Sequence, residues 1–367
     1  VKIAVLEFLC GGGLIEPDQP RTDPNTPANV LVPLFGEGLS MLDALATDFI
    51  ECGHSVFTCL DRSVLTSALI PPSFLSSASI SIVETTDRFL DVWGHVASDC
   101  DVTVVIAPEL NNALASIVQT LRALGVTVLA SDAAFLKAAS DKRLMAKMLL
   151  ARGVAHPATW TLREYYGSRE AAAKTIGTSP ITVKRRDGAG CAEMRYFANC
   201  VAFESWASTT SLLAENADHW IVQPWIDGQP ASLALIAQGS RKVLGAFEQR
   251  MEVRPIEIAN QGQCVQYRGG SGPLAQVSFA QLEEFANVVL DAVPPGAAGW
   301  IGIDFLIPLE AKTASDWIAI EINPRLTTSY AGYRKWYGHE LANMLLGIRP
   351  VPSSVGFPTW ERIEFDA

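Results

Sequence analysis

The stretch that most constrains the fold runs from Trp300 to Arg325, WIGIDFLIPLEAKTASDWIAIEINPR. In its first half Ile301, Ile303, Phe305 and Ile307 alternate with Trp300, Gly302, Asp304 and Leu306. In its second half Ile318, Ile320 and Ile322 alternate with Ala319, Glu321 and Asn323. A period of two is the strand signature, because successive side chains leave opposite faces. The short polar connection predicts an antiparallel hairpin. In that register Asp304 lies near Glu321 and Asn323, with facing Cβ atoms about 4.5–5.5 Å apart. Two carboxylates and an amide crowded between apolar strands repel, and their burial is costly without a counter-charge. Hard oxygen ligands at this spacing suit Mg²⁺, which takes one or two carboxylates and leaves its other positions to phosphate and water. The plainer alternative is the exposed face of a half-solvated sheet. Pro324 then ends the strand, and Arg325 brings a fixed charge suited to phosphate oxygens.

Composition narrows the class. The 367 residues suffice for two or three domains, and 49% are apolar against 18% charged, as in a soluble globular enzyme. A net charge of −11 argues against nucleic acid or an anionic membrane as the main partner. No apolar run approaches the ~20 residues of a membrane span. The first residues read as a strand rather than a signal peptide. Seven scattered cysteines without a CxxC pair favour reduced thiols and a cytoplasmic setting over disulfides or a zinc site.

Taken in order, residues 2–9 predict a buried strand running into Gly11, Gly12 and Gly13. A dinucleotide fingerprint would need its third glycine at position 16, where Glu16 stands, so NAD binding is disfavoured. A loop to about Pro33, a helix from Ser40 to Cys52, a strand HSVFTCLD, a strand Asp101–Ala107, a helix Asn111–Leu124 and a strand Val126–Ala130 follow. Alternating strands and helices mean a parallel sheet with covered faces.

Beyond residue 135, Lys142 falls in the first turn of a helix that follows Asp141 and ends at Gly153. A lysine there opposes the helix dipole. It reads either as a solvated surface residue or as a phosphate ligand. Ile181–Lys184 predicts a strand entering RRDGAGC. A lysine followed by Gly188 and Gly190 can cradle phosphate through backbone N–H groups, or it can simply be a hairpin turn with basic flanks. HWIVQPWI predicts a strand broken at Asp227-Gly228, with further strands at Ser232–Ala237 and Lys242–Phe247. QYRGGSGPL reads as a glycine-rich loop holding Arg268, and residues 278–292 read as a helix before the hairpin. His156 reads as structural, Cys191 needs no catalytic role, and Glu7 is an unusual charge in an apolar strand, there either to bind an amine or to point outward.

This order of parts (SDK, strand-Lys-Gly loop, QPWIDG, GIDF, EINPR) resembles the ATP-grasp superfamily of carboxylate–amine ligases over nearly the whole chain. The resemblance implies an α/β chain, an ATP-grasp fold preceded by a Rossmann-like parallel α/β N-terminal domain. It implies an N-terminal domain at 1–135, a lid subdomain at 136–226 and a C-terminal subdomain at 227–367. Lys142 and Lys184 would bind the ATP phosphates beneath a lid loop holding Gly188 and Gly190. Pro224 and Ile226 would read adenine through backbone groups, with Gln223 accepting from its amino group. Asp304, Glu321 and Asn323 would bind Mg²⁺, or Mn²⁺ in its place. Arg325 and Arg268 would stabilise the phosphorylated intermediate. Two departures stand out: Pro230 occupies the place of the usual ribose acid, with Asp227 the nearest substitute, and Arg185 stands where many relatives have proline.

LEFLCGGGL, GEGLSMLDALATDFIECGHSV and EINPRLTTSYAG resemble more narrowly the tyramine–glutamate ligase group, which serves methanofuran-type cofactor biosynthesis. That implies small-molecule amino acid and amine substrates, an acyl-phosphate intermediate and amide bond formation. Neither nucleic acid nor membrane is an expected partner, and a homodimer is compatible with the family. The glycines at 11–13, Arg268 with its glycines, and Thr327, Thr328 and Ser329 are the expected substrate contacts. A D-alanine–D-alanine-like ligase and a non-catalytic nucleotide-binding regulator remain the alternatives.

Overall fold

The computed structural model describes residues 1–14, 28–65, 76–84, 86–188, 191, 193–210, 216–256, 262–274, 276–352 and 361–366. Among these, the N-terminal part holds β1 (Lys2–Glu7), α1 (Ala28–Glu51), β2 (Ser55–Asp61), β3 (Ser79–Val83), α2 (Phe89–Ser98), β4 (Val102–Ile106) and α3 (Ala113–Ala123). Its sheet has the order β3-β2-β1-β4 and every pairing is parallel. Ile3 and Val5 of β1 pack against α1, while Ala4 and Leu6 pack against α2 and α3. A strand covered on both faces must be apolar throughout, which is why β1 shows no alternation.

Two local expectations change. α1 starts at Ala28 rather than at Ser40. Val126–Ala130 forms no strand of the sheet, only a single bridge from Thr103 to Val128. β3 and α2, which the sequence reading passed over, complete the domain.

α4 (Ala133–Ser140) and α5 (Lys142–Ala151) lead into the second part. There β5 (Trp160–Thr161), α6 (Leu162–Gly167), α7 (Arg169–Ile176), β6 (Ile181–Arg185), β7 (Arg195–Phe197), α8 (Cys200–Thr209) and β8 (Trp220–Pro224) enclose an aromatic core around Tyr165, Phe203 and Trp206. Next come β9 (Gln229–Gln238), β10 (Ser240–Pro255), β11 (Gln263–Gly272), α9 (Phe279–Asp291), β12 (Gly299–Ile307), β13 (Ile318–Asn323), α10 (Tyr330–Tyr337), α11 (Glu340–Leu345) and β14 (Ile363–Phe365). One antiparallel sheet spans both parts, in the order β13-β12-β9-β10-β11-β7-β6-β8-β5, with β14 added on β11. Among the described residues the two halves of the sheet join where Gln263 and Cys264 pair with Tyr196 and Arg195. Under β9 and β12 lies a core of Leu233, Leu235, Ile301, Ile303, Phe305 and α9. On their other face, Ala234, Ile236 and Trp300 meet Tyr330 and Tyr333 of α10 and the helices of the first domain.

The expected loop at QYRGGSGPL is instead strand β11, laddered to β10 and β14. Its glycines serve close packing. A Cβ on Gly269, whose φ is +101°, would lie 2.0 Å from the Phe365 carbonyl oxygen, and one on Gly272 would lie 2.6 Å from the Phe247 ring. Gly269→Ala is expected to cost about 2–3 kcal/mol in denaturant unfolding. Gly53→Ala, at φ +81° but with open space around it, should cost about 1 kcal/mol. Equal losses would mean that backbone conformation alone, not contact with β14, sets the requirement at Gly269.

Candidate functional site

β12 and β13 form the expected antiparallel hairpin, with Asp304 opposite Glu321 and Gly302 opposite Asn323. The ladder then slips: Phe305 pairs with Ala319, and Ile320 is left as the extra residue of a bulge. The expected alternation of Ile318, Ile320 and Ile322 is therefore broken. Ala319 and Ile322 stay in the core, while Ile320 and Glu321, adjacent in sequence, both line a cavity of about 300 Å³.

Asp304 is held rigidly in this cavity. Its Oδ1 accepts from Gln249 Nε2 at 3.0 Å and its Oδ2 from Asn323 Nδ2 at 3.0 Å. Burial pushes its carboxyl up to about 6, and the charge of Glu321 pushes the same way. Bonds from Asn323 and Ser232 and the nearby Lys184 pull it back.

Lys142 settles the choice left open by its sequence: it is buried, not solvated. Asp141 caps α5, accepting from the amides of Arg143 and Leu144 at 3.0 Å each, and is itself gripped by Arg186 at 2.6 and 2.7 Å. That fixes Lys142 in the first turn, its Nζ 2.8 Å from Glu321 Oε1 and donating to the Gly188 carbonyl. Lys184, on β6, is buried in the same wall. Burial pushes its ammonium down, Glu321 opposes that, and Lys142 adds to it. Gly188 thus lies against Lys142, whereas Gly190 lies outside the described residues.

Gln223, on the β8 strand beside β6, lines the cavity together with Pro224, Ile226 and Asp227, as does Pro230. Gln223 Nε2 donates to Thr159 Oγ1 at 2.8 Å and faces His156 Nε2 at 3.4 Å. Asp227 accepts from Trp225 Nε1 at 3.1 Å. His156 is buried, with Nδ1 2.7 Å from the Ala319 carbonyl. Burial and the charge of Lys184 push it down to about 4, so it stays neutral. Cys191 also lines the cavity, and burial pushes its thiol up to about 12, which leaves it protonated and unreactive at neutral pH.

Arg325 lines the cavity but is not free: its Nε donates to the buried Glu109 carboxylate at 3.0 and 3.2 Å, just past β4. Thr327, Thr328 and Ser329 line the cavity as expected, with Ser329 Oγ 2.8 Å from Thr327 Oγ1.

Other expectations fail on placement. Arg268 does not reach the cavity. Its neighbour Tyr267 does, and strand alternation sends Arg268 to the outer face, where it pairs with Glu252 at 2.9 Å. Gly11–Gly13 are packing residues: a Cβ on Gly11 would lie 2.8 Å from Trp93, and one on Gly13 would lie 2.2 Å from Phe8. Glu7 does not point outward. It is buried and accepts from the Cys10 amide at 2.6 Å, and burial pushes its carboxyl up.

The sequence reading missed Glu37, Gln249, Tyr267 and Ser232 in the cavity and Glu109 behind Arg325. Ser232 was within reach, since it sits opposite Asp304 on a strand that was expected. Glu37 was not, because nothing local in an amphipathic helix tells a cavity carboxylate from a solvated one. Burial pushes Glu37 up to about 7, against the nearby Arg325.

The donor set fits a divalent cation. Two carboxylates and an amide meet where burial, and then the charge of Glu321, raise the Asp304 carboxyl, and a hard cation would offset both. Among the described residues no group of three His, Cys, Asp or Glu side chains converges, which matches an ion shared with phosphate oxygens rather than one caged by protein.

The pre-ATP-grasp domain profile matches residues 55–134, and the ATP-grasp domain profile matches 139–329, just over half of the chain. The chain belongs to the ATP-grasp family. Solved structures agree on the ATP-grasp fold with its N-terminal parallel-sheet domain. An ATP-grasp superfamily protein from Archaeoglobus fulgidus is 20% identical, with 95% of this chain and 88% of that one covered and a TM-score of 0.60. N5-carboxyaminoimidazole synthetase from Staphylococcus aureus, complexed with ADP, is 14% identical over 96% and 78%, at 0.63. Biotin carboxylase from Campylobacter jejuni, with an ATP analogue, is 14% identical over 98% and 74%, at 0.66. Comparison with curated proteins by sequence finds no match. Among the described residues of this ATP-grasp chain, no helix is long and apolar enough to cross a membrane.

The neutral His156 makes a stability prediction. Its folded pKa, about 4, lies below the ordinary ~6.5, so on acidification the unfolded chain takes up the proton first. Its contribution is complete above about 6.5 and is lost as pH falls towards 4, by up to about 3 kcal/mol. His156→Phe should flatten the pH dependence of unfolding free energy over that window. An unchanged slope would show that His156 is not buried and neutral.

Proposed function

We propose that the protein is an ATP- and Mg²⁺-dependent ligase that joins a carboxylate to an amine through an acyl-phosphate. The observation that carries this reading is the buried meeting of Lys142 and Lys184 with Asp304 and Glu321 in one cavity, which residues of the Gln223–Asp227 segment also line. Such a cluster has too much charge to be packing and no nucleophile of its own, which suits phosphoryl transfer, where the protein positions and neutralises.

Lys142 and Lys184 would take the β- and γ-phosphate oxygens, Arg325 the transferred phosphoryl group, and the Gly188 loop of the 136–226 lid would exclude water. Asp304, Glu321 and Asn323 would hold Mg²⁺, which neutralises phosphate charge and orients the γ-phosphate. The substrate carboxylate attacks that phosphate, releasing ADP. The amine then attacks the acyl carbon, forming the C–N bond as the C–O bond to phosphate breaks.

Glutamate with tyramine or a tyrosine-like amine is the favoured pair, from the likeness of the LEFLCGGGL and EINPRLTTSYAG segments to tyramine–glutamate ligases. Glu37 supports an amine at this end of the cavity. It is a carboxylate beyond those assigned to the metal, and with its pKa near 7 it can hold an ammonium and take its first proton. Arg325 and the Thr327–Ser329 hydroxyls suit the carboxylate substrate. The reaction would take place in the cytoplasm, with neither nucleic acid nor membrane as a partner.

Purified protein given ATP, Mg²⁺, glutamate and a panel of amines should release ADP in an amine-dependent way. Glu321→Ala should lower kcat by at least about a thousandfold while the fold persists. Full turnover in that variant would sink the metal assignment. Glu37→Gln should raise KM for the amine about tenfold or more and leave KM for ATP unchanged. A selective rise in KM for ATP instead would place Glu37 elsewhere.

A further inference from the structure

Gln223 has an amide whose two ends are nearly equal in size, and which end faces the cavity decides what it can recognise. The surrounding atoms leave no choice. The carbonyl oxygen of Ala319 can only accept, so His156 Nδ1, 2.7 Å away, must carry a proton. His156 is neutral, so its Nε2 is then an acceptor, and the Gln223 atom facing it at 3.4 Å must be a donor. Thr159 reaches the same answer independently. Its hydroxyl donates to the Pro157 carbonyl at 2.8 Å, so its oxygen is left to accept, and it does so from Gln223 Nε2 at 2.8 Å. Both N–H bonds of the amide are therefore spent on the wall. The amide oxygen accepts no hydrogen bond among the described residues, and Gln223 lines the cavity.

We propose that His156 and Thr159 are positioning residues that lock the Gln223 amide oxygen-outward, giving the chain its choice of a purine with an exocyclic amino group over one without. This rests on the reading that the Gln223–Asp227 segment binds the base of ATP. The lock is anchored outside the Gln223–Asp227 segment. Ala319 belongs to strand β13, and its own N–H donates to the Ala155 carbonyl at 2.9 Å, so the segment before Pro157 bonds both backbone polar groups of one β13 residue. A free amide would rotate to offer N–H to an oxo group and would not discriminate. A locked one meets an oxo group with oxygen facing oxygen.

The test is competition with ATP in the full-length protein by purine riboside 5′-triphosphate, which lacks only the amino group, and by ITP, which carries an oxo group there. The wild-type chain should bind ATP about tenfold more tightly than purine riboside triphosphate, the worth of one well-made hydrogen bond. Thr159→Val and His156→Phe should each reduce that ratio severalfold and improve the relative binding of ITP, and Thr159→Ser should restore the wild-type ratio. A purely structural role would weaken all three nucleotides alike, and an unchanged ratio in Thr159→Val and His156→Phe would overturn the proposal. Gln223→Leu separates the two layers. If it abolishes the preference while the wall variants do not, the lock is wrong; if it leaves the preference intact, the base-binding reading itself is wrong.

Discussion

The structure depends on how it balances buried charge. Asp304 and Glu321 face each other directly across a two-stranded ladder, and like charges at that distance resist ionising together in a low-dielectric setting. The fold answers with Lys142 on Glu321, Lys184 beside it, and hydrogen bonds from Asn323, Gln249 and Ser232 on Asp304. The answer is partial, since the Asp304 carboxyl remains raised. Removing one partner of a buried pair usually costs about 3–5 kcal/mol, because the other charge is left bare. A cluster of this kind is expensive for a fold to keep, and its residual imbalance is the physical argument that it exists to receive charged groups.

The same economy explains how the first domain is attached. Arg325 follows β13 with its side chain only 11% exposed, which demands a counter-ion. Glu109, just past β4, supplies it, and the bond crosses from the parallel sheet to the hairpin. Tyr330 and Arg334 repeat the device with Asp48 of α1, at 2.8 and 2.6 Å. Polar links that cannot slide fix the orientation of two otherwise apolar faces. The wall that carries Glu37 is thereby set against the wall that carries Asp304.

Most of the site was legible because strands advertise themselves through their period and because lysines next to glycines are chemically distinctive. The hairpin, Lys184 and the Gln223–Asp227 segment could be placed in this way, and their residues do line one cavity. Lys142 could not be settled, since whether a helix N-terminal lysine is buried depends on what lies across from it, here Glu321. Arg268 misled for the converse reason. Its glycines looked like loop chemistry, but they admit β14 and Phe247, and the strand they form turns Arg268 outward and Tyr267 inward. A bulge defeats period counting altogether: Ile320 reads as core and lines the cavity.

That bulge ties the two ends of the cleft together. By inserting one residue, β13 presents Glu321 to the cavity and still leaves the backbone of Ala319 turned to the Ala155–His156 segment, which bonds both its N–H and its carbonyl. His156 then reaches Gln223. The carboxylate end and the Gln223 end of the cavity are thus referenced to a single residue of one strand. Elsewhere, among the described residues, the β5–β8 strands meet the rest of the sheet through the two residue pairs between β7 and β11, with the Val265 N–H donating to the Met194 carbonyl at 3.2 Å beside them.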